Sequence, residues 1–334
     1  MNKVLLAEWE EQGAIIIAWP NDDTDWKYNL YEIEGTYIEI ANQIADHQLL
    51  IILAKDYSIK DYFTKKTLKN IKIILTDYND TWTRDYIGLS IKVNQGHSLI
   101  DFRFNGWGEK YDFKKDNSIN TSLYRKNIFN EIDFNYNHFI LEGGSIDSNG
   151  QGTILTTSKC LLNRNRNSNL SKEQIETTLQ QSLGIKKIIW INFGEISGDD
   201  TDSHIDNLAR FCSEKTIVYS AGNCLELKLM EEELKGIALK NNYELVPIPL
   251  PKAILFEKQK LPASYMNFII TNQKVLVPTF CDANDEMALS ILQNIFPSRK
   301  VIGINSRQII QQKGSLHCLS MQIHKNILNL SLFQ

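Results

Sequence analysis

From Ala14 to Ile304 the chain alternates short apolar runs with stretches of helical spacing, and no Pro- or Gly-rich linker separates them. The apolar runs, read as buried strands, are Ala14–Trp19, Leu49–Leu53, Ile71–Leu75, Leu89–Val93, Leu99–Phe104, Phe139–Leu141 and Thr153–Thr156. They continue with Lys187–Ile191, Thr216–Tyr219, Tyr243–Pro247, Asn267–Thr271, Lys274–Val277 and Lys300–Ile304, and Ser315–Ile323 closes the chain. Leu30, Ile33, Tyr37, Ile40, Ala41 and Ile44 recur at helical spacing, and Ser171 with Gln174 forms a capping box for a helix to Leu183. Further helices are expected at Lys60–Leu68, Ser118–Glu131, Leu225–Lys240 and Asn284–Asn294. About five helix-bearing units at a spacing of roughly sixty residues predict one α/β domain of repeated units, spanning 1–334, rather than two tethered domains.

The 334 residues carry a formal net charge of −4 with both signs interspersed, which argues against a nucleic-acid surface driven by positive charge. The basic run Asn163–Arg166 reads as a loop. Cys160, Cys212, Cys224, Cys281 and Cys318 are scattered, odd in number and free of any C-x-x-C pair, so neither structural zinc nor a disulfide framework is expected. Met1–Glu11 carries acids and lacks the apolar core of a signal peptide, and no run has the length of a membrane span. The expected setting is the cytoplasm.

The densest chemistry lies in Gly198–Phe211, where Asp199, Asp200, Asp202 and Asp206 surround His204. If extended, this segment sets Asp200, Asp202, His204 and Asp206 on one side. Such a cluster suits a cationic ligand, a metal, or proton transfer by a histidine whose pKa its neighbours raise. A calcium loop fits poorly, because the glycine at loop position six and the closing glutamate are missing. Other polar stretches interrupt the strands: Asp80–Asp85 with Trp82 and Arg84, Asn105–Gly108 with Trp107, and Leu141–Gly144 with Glu142. Each taken alone also fits an ordinary surface turn. Near the end, His317 and Cys318 are adjacent, and in an extended segment they would point to opposite faces. A base for that thiol would then come from elsewhere, with His204 the obvious choice.

Together these stretches resemble the agmatine deiminases, part of a wider group that also holds bacterial peptidylarginine deiminases. The matching text is Glu8–Pro20, Trp82-x-Arg84-Asp85, Phe104-Asn105-x-Trp107-Gly108, Leu141–Gly144, Asp202-x-His204-x-Asp206-Asn207 and Gly314-x-x-His317-Cys318. Thr153–Thr157, Leu161–Asn167 and Ala263–Phe268 extend it over nearly the whole chain. The resemblance implies a pentein, a five-bladed α/β propeller of ββαβ-type units around a central site. It implies Cys318 as nucleophile, His204 as general acid and base, Asp85 and Asp206 as the pair gripping a guanidinium, and Glu142 as support for the histidine. Trp82 and Trp107 match aromatics of the substrate channel, and Asp200, Asp202, Asn267 and Gly314 are further candidates for substrate binding. No metal and no organic cofactor is implied.

The chemistry fits the residue types. A planar cation can donate to two carboxylates while its central carbon sits over a thiolate, and a covalent amidino-thioether then hydrolyses to a ureido product. The resemblance therefore implies hydrolysis of agmatine to N-carbamoylputrescine and ammonia. The rival substrates are arginine, a methylarginine or peptidylarginine, with Lys313 a conceivable cation for a substrate carboxylate. A further rival is a non-catalytic, ribosome-binding pentein, which has no need for this set of side chains. The expected partners are a small guanidinium substrate and a second copy in a homodimer, with no nucleic acid and no membrane. The chain departs from the family pattern at Tyr86–Gly88, at Ser203 where glycine is usual, and at Gln312–Leu316, which replaces a run of glycines.

Overall fold

A computed structural model describes residues 2–333. Among them, five sheets repeat one pattern: an antiparallel pair, then a helix that crosses over to a third strand parallel to the second. Ser320–His324 pairs antiparallel with Gln12–Ala18, helix Leu30–Ala45 crosses to the parallel Leu49–Ala54, and Ile71–Leu75 extends that sheet. The last strand thus pairs with one of the first and ties the two ends of the chain together. The second unit pairs Leu89–Val93 with Gly96–Ile100, crosses through Ile119–Arg125 to Ile132–Asp133, and gains Lys3–Leu5 at its edge. The third comprises Ile146–Ser148, Thr153–Thr157, helix Lys172–Leu183 and Lys187–Ile191. The fourth has Ala209–Phe211, Thr216–Ala221, helix Leu225–Asn241 and Glu244–Pro249. The fifth has Ile269–Ile270, Lys274–Thr279, helix Asp285–Ile295 and Lys300–Asn305.

Local chemistry explains these elements. The strand Gln12–Ala18 is a continuous apolar run because a strand flanked by a crossover helix and the propeller interior is covered on both faces, and Ala14–Ala18 have no exposed surface. In Lys172–Leu183 the expected capping box is formed: Ser171 Oγ accepts from Gln174 N–H at 3.3 Å and Gln174 Oε1 accepts from Ser171 N–H at 2.7 Å. Gly184, at φ 68°, ends that helix in the left-handed conformation open to glycine.

Several expectations shift. The helix expected over Lys60–Leu68 is two short turns, Ser58–Tyr62 and Lys65–Leu68, split by extended Phe63, and the strand over Asn267–Thr271 is only Ile269–Ile270. The helix placed over Ser118–Glu131 is only Ile119–Arg125, because Asn127 at φ 57° turns the chain away. The stretch Phe139–Leu141 makes a single bridge, Ile140 to Arg103, rather than a strand. No helix among the described residues is long and apolar enough to cross a membrane.

The third, fourth and fifth units and the N-terminal segment meet around a buried arginine. Arg210, fully buried on the fourth unit's first strand, donates to Asp147 of the third unit through Nε at 3.2 Å and to the carbonyls of Met266 and Phe268 leading into the fifth. Its Nη2 is paired with Glu8 of the N-terminal segment. Burial alone would raise the Glu8 pKa; Arg210 and His317 overcome it and hold the carboxyl below its usual range.

Arg210→Met should therefore destabilise the protein by about 3–5 kcal/mol in urea unfolding, because two carboxylates are left buried without their cation. Since the folded-state pKa of Glu8 lies below its unfolded value, its contribution is complete above the ordinary carboxylate range and is lost as pH falls through the folded value. Wild type should accordingly lose more stability on acidification than Arg210→Met with Glu8→Gln.

Candidate active site

Each unit delivers a polar side chain to the centre from the segment just before its first strand. Asp85 precedes Leu89–Val93, Glu142 precedes Ile146–Ser148, Asp206 precedes Ala209–Phe211, Asn267 precedes Ile269–Ile270 and Cys318 precedes Ser320–His324. All five are buried.

Gly144 marks where they meet. A Cβ built there would lie 2.7 Å from His204 Nδ1, 2.9 Å from Asp85 Oδ1 and 3.0 Å from Asp206 Oδ2. Asp85 is held from both sides: Oδ1 accepts from Gly144 N–H at 2.8 Å and Oδ2 from Trp107 Nε1–H at 2.9 Å. Trp107 can do this because Gly106, Trp107 and Gly108 all adopt positive φ, at 65°, 55° and 89°. Its indole packs edge-on to Phe104 with centroids 4.9 Å apart. Asp206 Oδ2 accepts from or faces three groups, His317 Nδ1 at 2.8 Å, the Cys318 thiol at 3.5 Å and the Gly144 backbone, while its Oδ1 is buried with no partner. Neither ring nitrogen of the buried His204 has a hydrogen-bond partner; Nδ1 stands 3.8 Å from Asp85 Oδ1.

Cys318 sits in the turn Leu316–Leu319. Its Sγ accepts from Asn267 Nδ2 at 3.1 Å, and Asn267 Oδ1 accepts from the backbone N–H of both His317 and Cys318. The thiol is pushed well up by burial and by the charges of Asp206 and Asp85. For His204, burial works toward the neutral ring, and the neighbouring Asp85 reverses this and raises the pKa well above the ordinary value. Without a cation present, the centre rests as a protonated thiol beside an imidazolium.

A model of the Porphyromonas-type peptidyl-arginine deiminase family matches residues 4–323. The chain belongs to that family. A curated relative from Vibrio parahaemolyticus, provisionally named an agmatine deiminase, is 31% identical over 95% of either chain. A cysteine-to-serine variant of the C. jejuni agmatine deiminase, solved with substrate bound, superimposes with a TM-score of 0.90 at 37% identity, covering 98% of this chain and 97% of that one. An amidinotransferase of saxitoxin biosynthesis from Microseira wollei shares the fold alone, with a TM-score of 0.51 at 10% identity over 97% of this chain and 98% of its own. The α/β propeller expected from the sequence is the fold of these family structures and of the amidinotransferase.

Above the centre opens a cavity of about 110 Å³ lined by Trp82, Asp85, Trp107, Gly314 and Cys318, with Asp25, Asp80, Asp200, Tyr111 and Lys313 among its outer residues. Gly314 lies against the Trp82 ring; a Cβ there would stand 2.3 Å from Trp82 Cζ3. Asp200 lines the cavity but is already engaged, accepting from Tyr111 Oη at 2.6 Å and Lys313 Nζ at 2.9 Å. Lys313 is thus spent on an internal ion pair. Asp80, half-buried, and the exposed Asp25 have no ion-pair partner among the described residues.

Several placements correct the sequence reading. The acidic stretch is not extended: Asp202 and Ser203 take φ of 66° and 69°, and Ile205–Asn207 forms a helical turn. Ser203 keeps the left-handed backbone that explains glycine in the family pattern. Asp202 is turned out of the cavity, where Lys110, Arg166 and Asn165 take its oxygens, so it cannot meet a ligand there. Asn267 holds the cysteine turn and is not among the cavity-lining residues. His317 and Cys318 do not face apart, because their turn brings both onto Asp206 Oδ2.

Sequence reasoning missed three residues. Arg166, assigned to a loop, is buried and donates through Nε to both oxygens of Glu142, at 2.9 and 3.0 Å. Glu142 therefore makes its hydrogen bonds to an arginine rather than to His204. Glu8 accepts from or pairs with His317 Nε2 at 2.9 Å, and Arg210 completes that chain. Arg166 and Glu8 both fall inside text matching the family pattern, which was their one available signal.

Gly144→Ala should lower turnover by about 100-fold or more, since the added methyl displaces His204 Nδ1, Asp85 Oδ1 and Asp206 Oδ2 together from the point where they meet. Alkylation followed by peptide mapping should find Cys224 and Cys281, both exposed, labelled first. Labelling of Cys318 should be slow at neutral pH and accelerate only above the ordinary thiol range, and fast labelling at pH 7 would contradict the protonated resting state.

Proposed function

We propose that the chain is an agmatine deiminase, working as one catalytic domain in the cytoplasm and releasing ammonia from agmatine to leave N-carbamoylputrescine. The observation that carries this reading is a match of deficits. Buried Asp206 Oδ1 lacks a donor, the carboxylates of Asp85 and Asp206 flank the Cys318 thiol, and Asp80 and Asp25 stand without an ion-pair partner at the mouth. A guanidinium supplies the inner donors, and a distal ammonium supplies the outer charge.

In this reading the guanidinium docks between Asp85 and Asp206 with its carbon over Cys318 Sγ. Its charge cancels the field that holds the thiol protonated and lowers the pKa of the neighbouring imidazolium, which releases one proton to solvent and leaves His204 neutral with a free nitrogen. His204 then takes the thiol proton, the thiolate adds to the guanidinium carbon, and His204 returns the proton to the departing nitrogen, which leaves as ammonia. Water enters, is deprotonated by His204 and attacks the same carbon. The C–S bond breaks, and the ureido product and the thiol are restored. Glu142, fixed by Arg166, stabilises the cationic histidine from behind.

The mouth favours agmatine over arginine. An α-carboxylate would meet Asp80 and Asp25, whereas an ammonium would be drawn to them. Burial, with the charges of Asp25 and Asp200, pushes Asp80 up to about 7, so its attraction for a cation fades as pH falls below that value.

Ammonia release should be highest for agmatine in a panel with arginine, methylarginine and a peptide ending in arginine. Higher turnover of arginine would overturn the substrate assignment, and no release from any would overturn the deiminase. Asp80→Asn should raise KM for agmatine about 10-fold or more, the worth of a charge-assisted contact, with a smaller effect on kcat. In wild type KM should climb below pH 7, and in Asp80→Asn that rise should be absent.

A further inference from the structure

Outside the residues that line the cavity lies a group the proposed reaction leaves partly unused. A ring nitrogen of His204, the thiol of Cys160 and a carboxylate oxygen of Glu142 lie within 4.8 Å of one another, and all three residues are fully buried. They come from separate elements. Glu142 ends the bridge segment before the third unit, Cys160 lies on the helical turn Ser158–Leu161, and His204 enters the turn Ile205–Asn207. One hydroxyl ties two of these together: Thr157 Oγ1 donates to Ser203 C=O at 2.8 Å and accepts from Cys160 N–H at 3.2 Å.

The three donors form a set that suits a borderline-soft cation. Imidazole, thiolate and carboxylate are the ligands of zinc, at bond lengths that put tetrahedral donors roughly 3.3–3.8 Å apart, so a contraction of about 1 Å would close the site. A second observation points the same way. Both nitrogens of His204 are buried and without a hydrogen-bond partner, which is costly for a polar ring unless something else engages it. Glu142 keeps lone pairs free beyond its two contacts with Arg166 Nε.

We propose that Glu142, Cys160 and His204 form an inhibitory site for a divalent zinc-like cation, which on binding withdraws His204 from proton transfer. The inhibition rests on the proton-shuttle role given above to His204; the binding does not. Capture is a proton exchange: M²⁺ displaces one proton from the Cys160 thiol and one from the His204 imidazolium, giving a thiolate–imidazole–carboxylate complex. The site then carries two ligand negative charges against the metal's two positive ones, with the Arg166 guanidinium beside it. The charged groups facing His204 are Asp85, Glu142, Asp206 and Asp199, with the Cys160 thiol, and those facing Cys160 include Arg166.

The test uses the full chain and Co²⁺, whose bond to thiolate gives a near-ultraviolet charge-transfer band. Wild type and Cys318→Ser should both show the band, the latter although it is inactive, and Cys160→Ala and Cys160→Ser should both lack it. Zn²⁺ should displace Co²⁺ and inhibit wild type. Persistence of the band in both Cys160 variants, or its loss in Cys318→Ser, would overturn the proposal, as would its absence in wild type. Because the readout is spectroscopic, a protein that binds Co²⁺ at Cys160 but never deiminates agmatine would refute the enzyme reading and leave the site standing.

Discussion

The structure depends on one buried chain of charge that runs from the propeller's hub to its reacting sulfur. Arg210 holds Glu8, Glu8 faces His317 Nε2, His317 Nδ1 faces Asp206 Oδ2, and that same oxygen accepts from the Cys318 thiol. Isolated, each of these groups would be expensive to bury; linked, each compensates the next. The consequence for function is positional. Asp206 is held through Oδ2, which is committed to the chain, and so its unpartnered Oδ1 is the oxygen that the proposed function assigns to an incoming donor. Stability of the hub and orientation of the substrate-facing oxygen are therefore one property, set by groups from the N-terminal segment, the fourth unit and the C-terminal turn.

The propeller makes this economical. Each unit adds one side chain just ahead of its first strand, and the variety of those side chains, Asp, Glu, Asp, Asn and Cys, converts a structural repeat into an asymmetric centre. The repeat was readable in the sequence as a rhythm of strand and helix, because crossovers bury both faces of the central strands and leave apolar runs such as Ala14–Ala18. Helix Lys172–Leu183 was readable to its ends, since both its capping box and its glycine are local. The short first strands, such as Ile269–Ile270, were less so, as two or three residues carry no period.

Within the site, what could be read was identity, and what could not was partnership. Asp85, His204, Asp206 and Cys318 stood out as residue types in a matching order, yet the bonds that hold Asp85, Asp206 and Cys318 join positions 59, 111 and 51 apart in sequence. No local pattern encodes such a contact. The acidic stretch shows the cost of assuming a simple backbone: alternation put Asp200 and Asp202 beside His204, whereas left-handed φ at Asp202 and Ser203 turned Asp202 outward onto Arg166 and Lys110. Arg166 was overlooked for the converse reason, since a basic residue among asparagines looks solvated until the fold supplies a buried glutamate.

That arginine also bears on how the centre is tuned. A carboxylate directly hydrogen-bonded to His204 would fix one tautomer; Glu142 is instead pinned by Arg166 and acts on the ring through charge alone. The imidazole is left with both nitrogens free, which suits a group that must accept a proton from sulfur, deliver it to nitrogen and then take another from water. The same freedom leaves it open to capture by a metal. The proton-shuttle role and the metal-ligand role proposed above thus draw on the same unpartnered ring, with the Cys160 thiol within 4.8 Å as the second donor the metal reading requires.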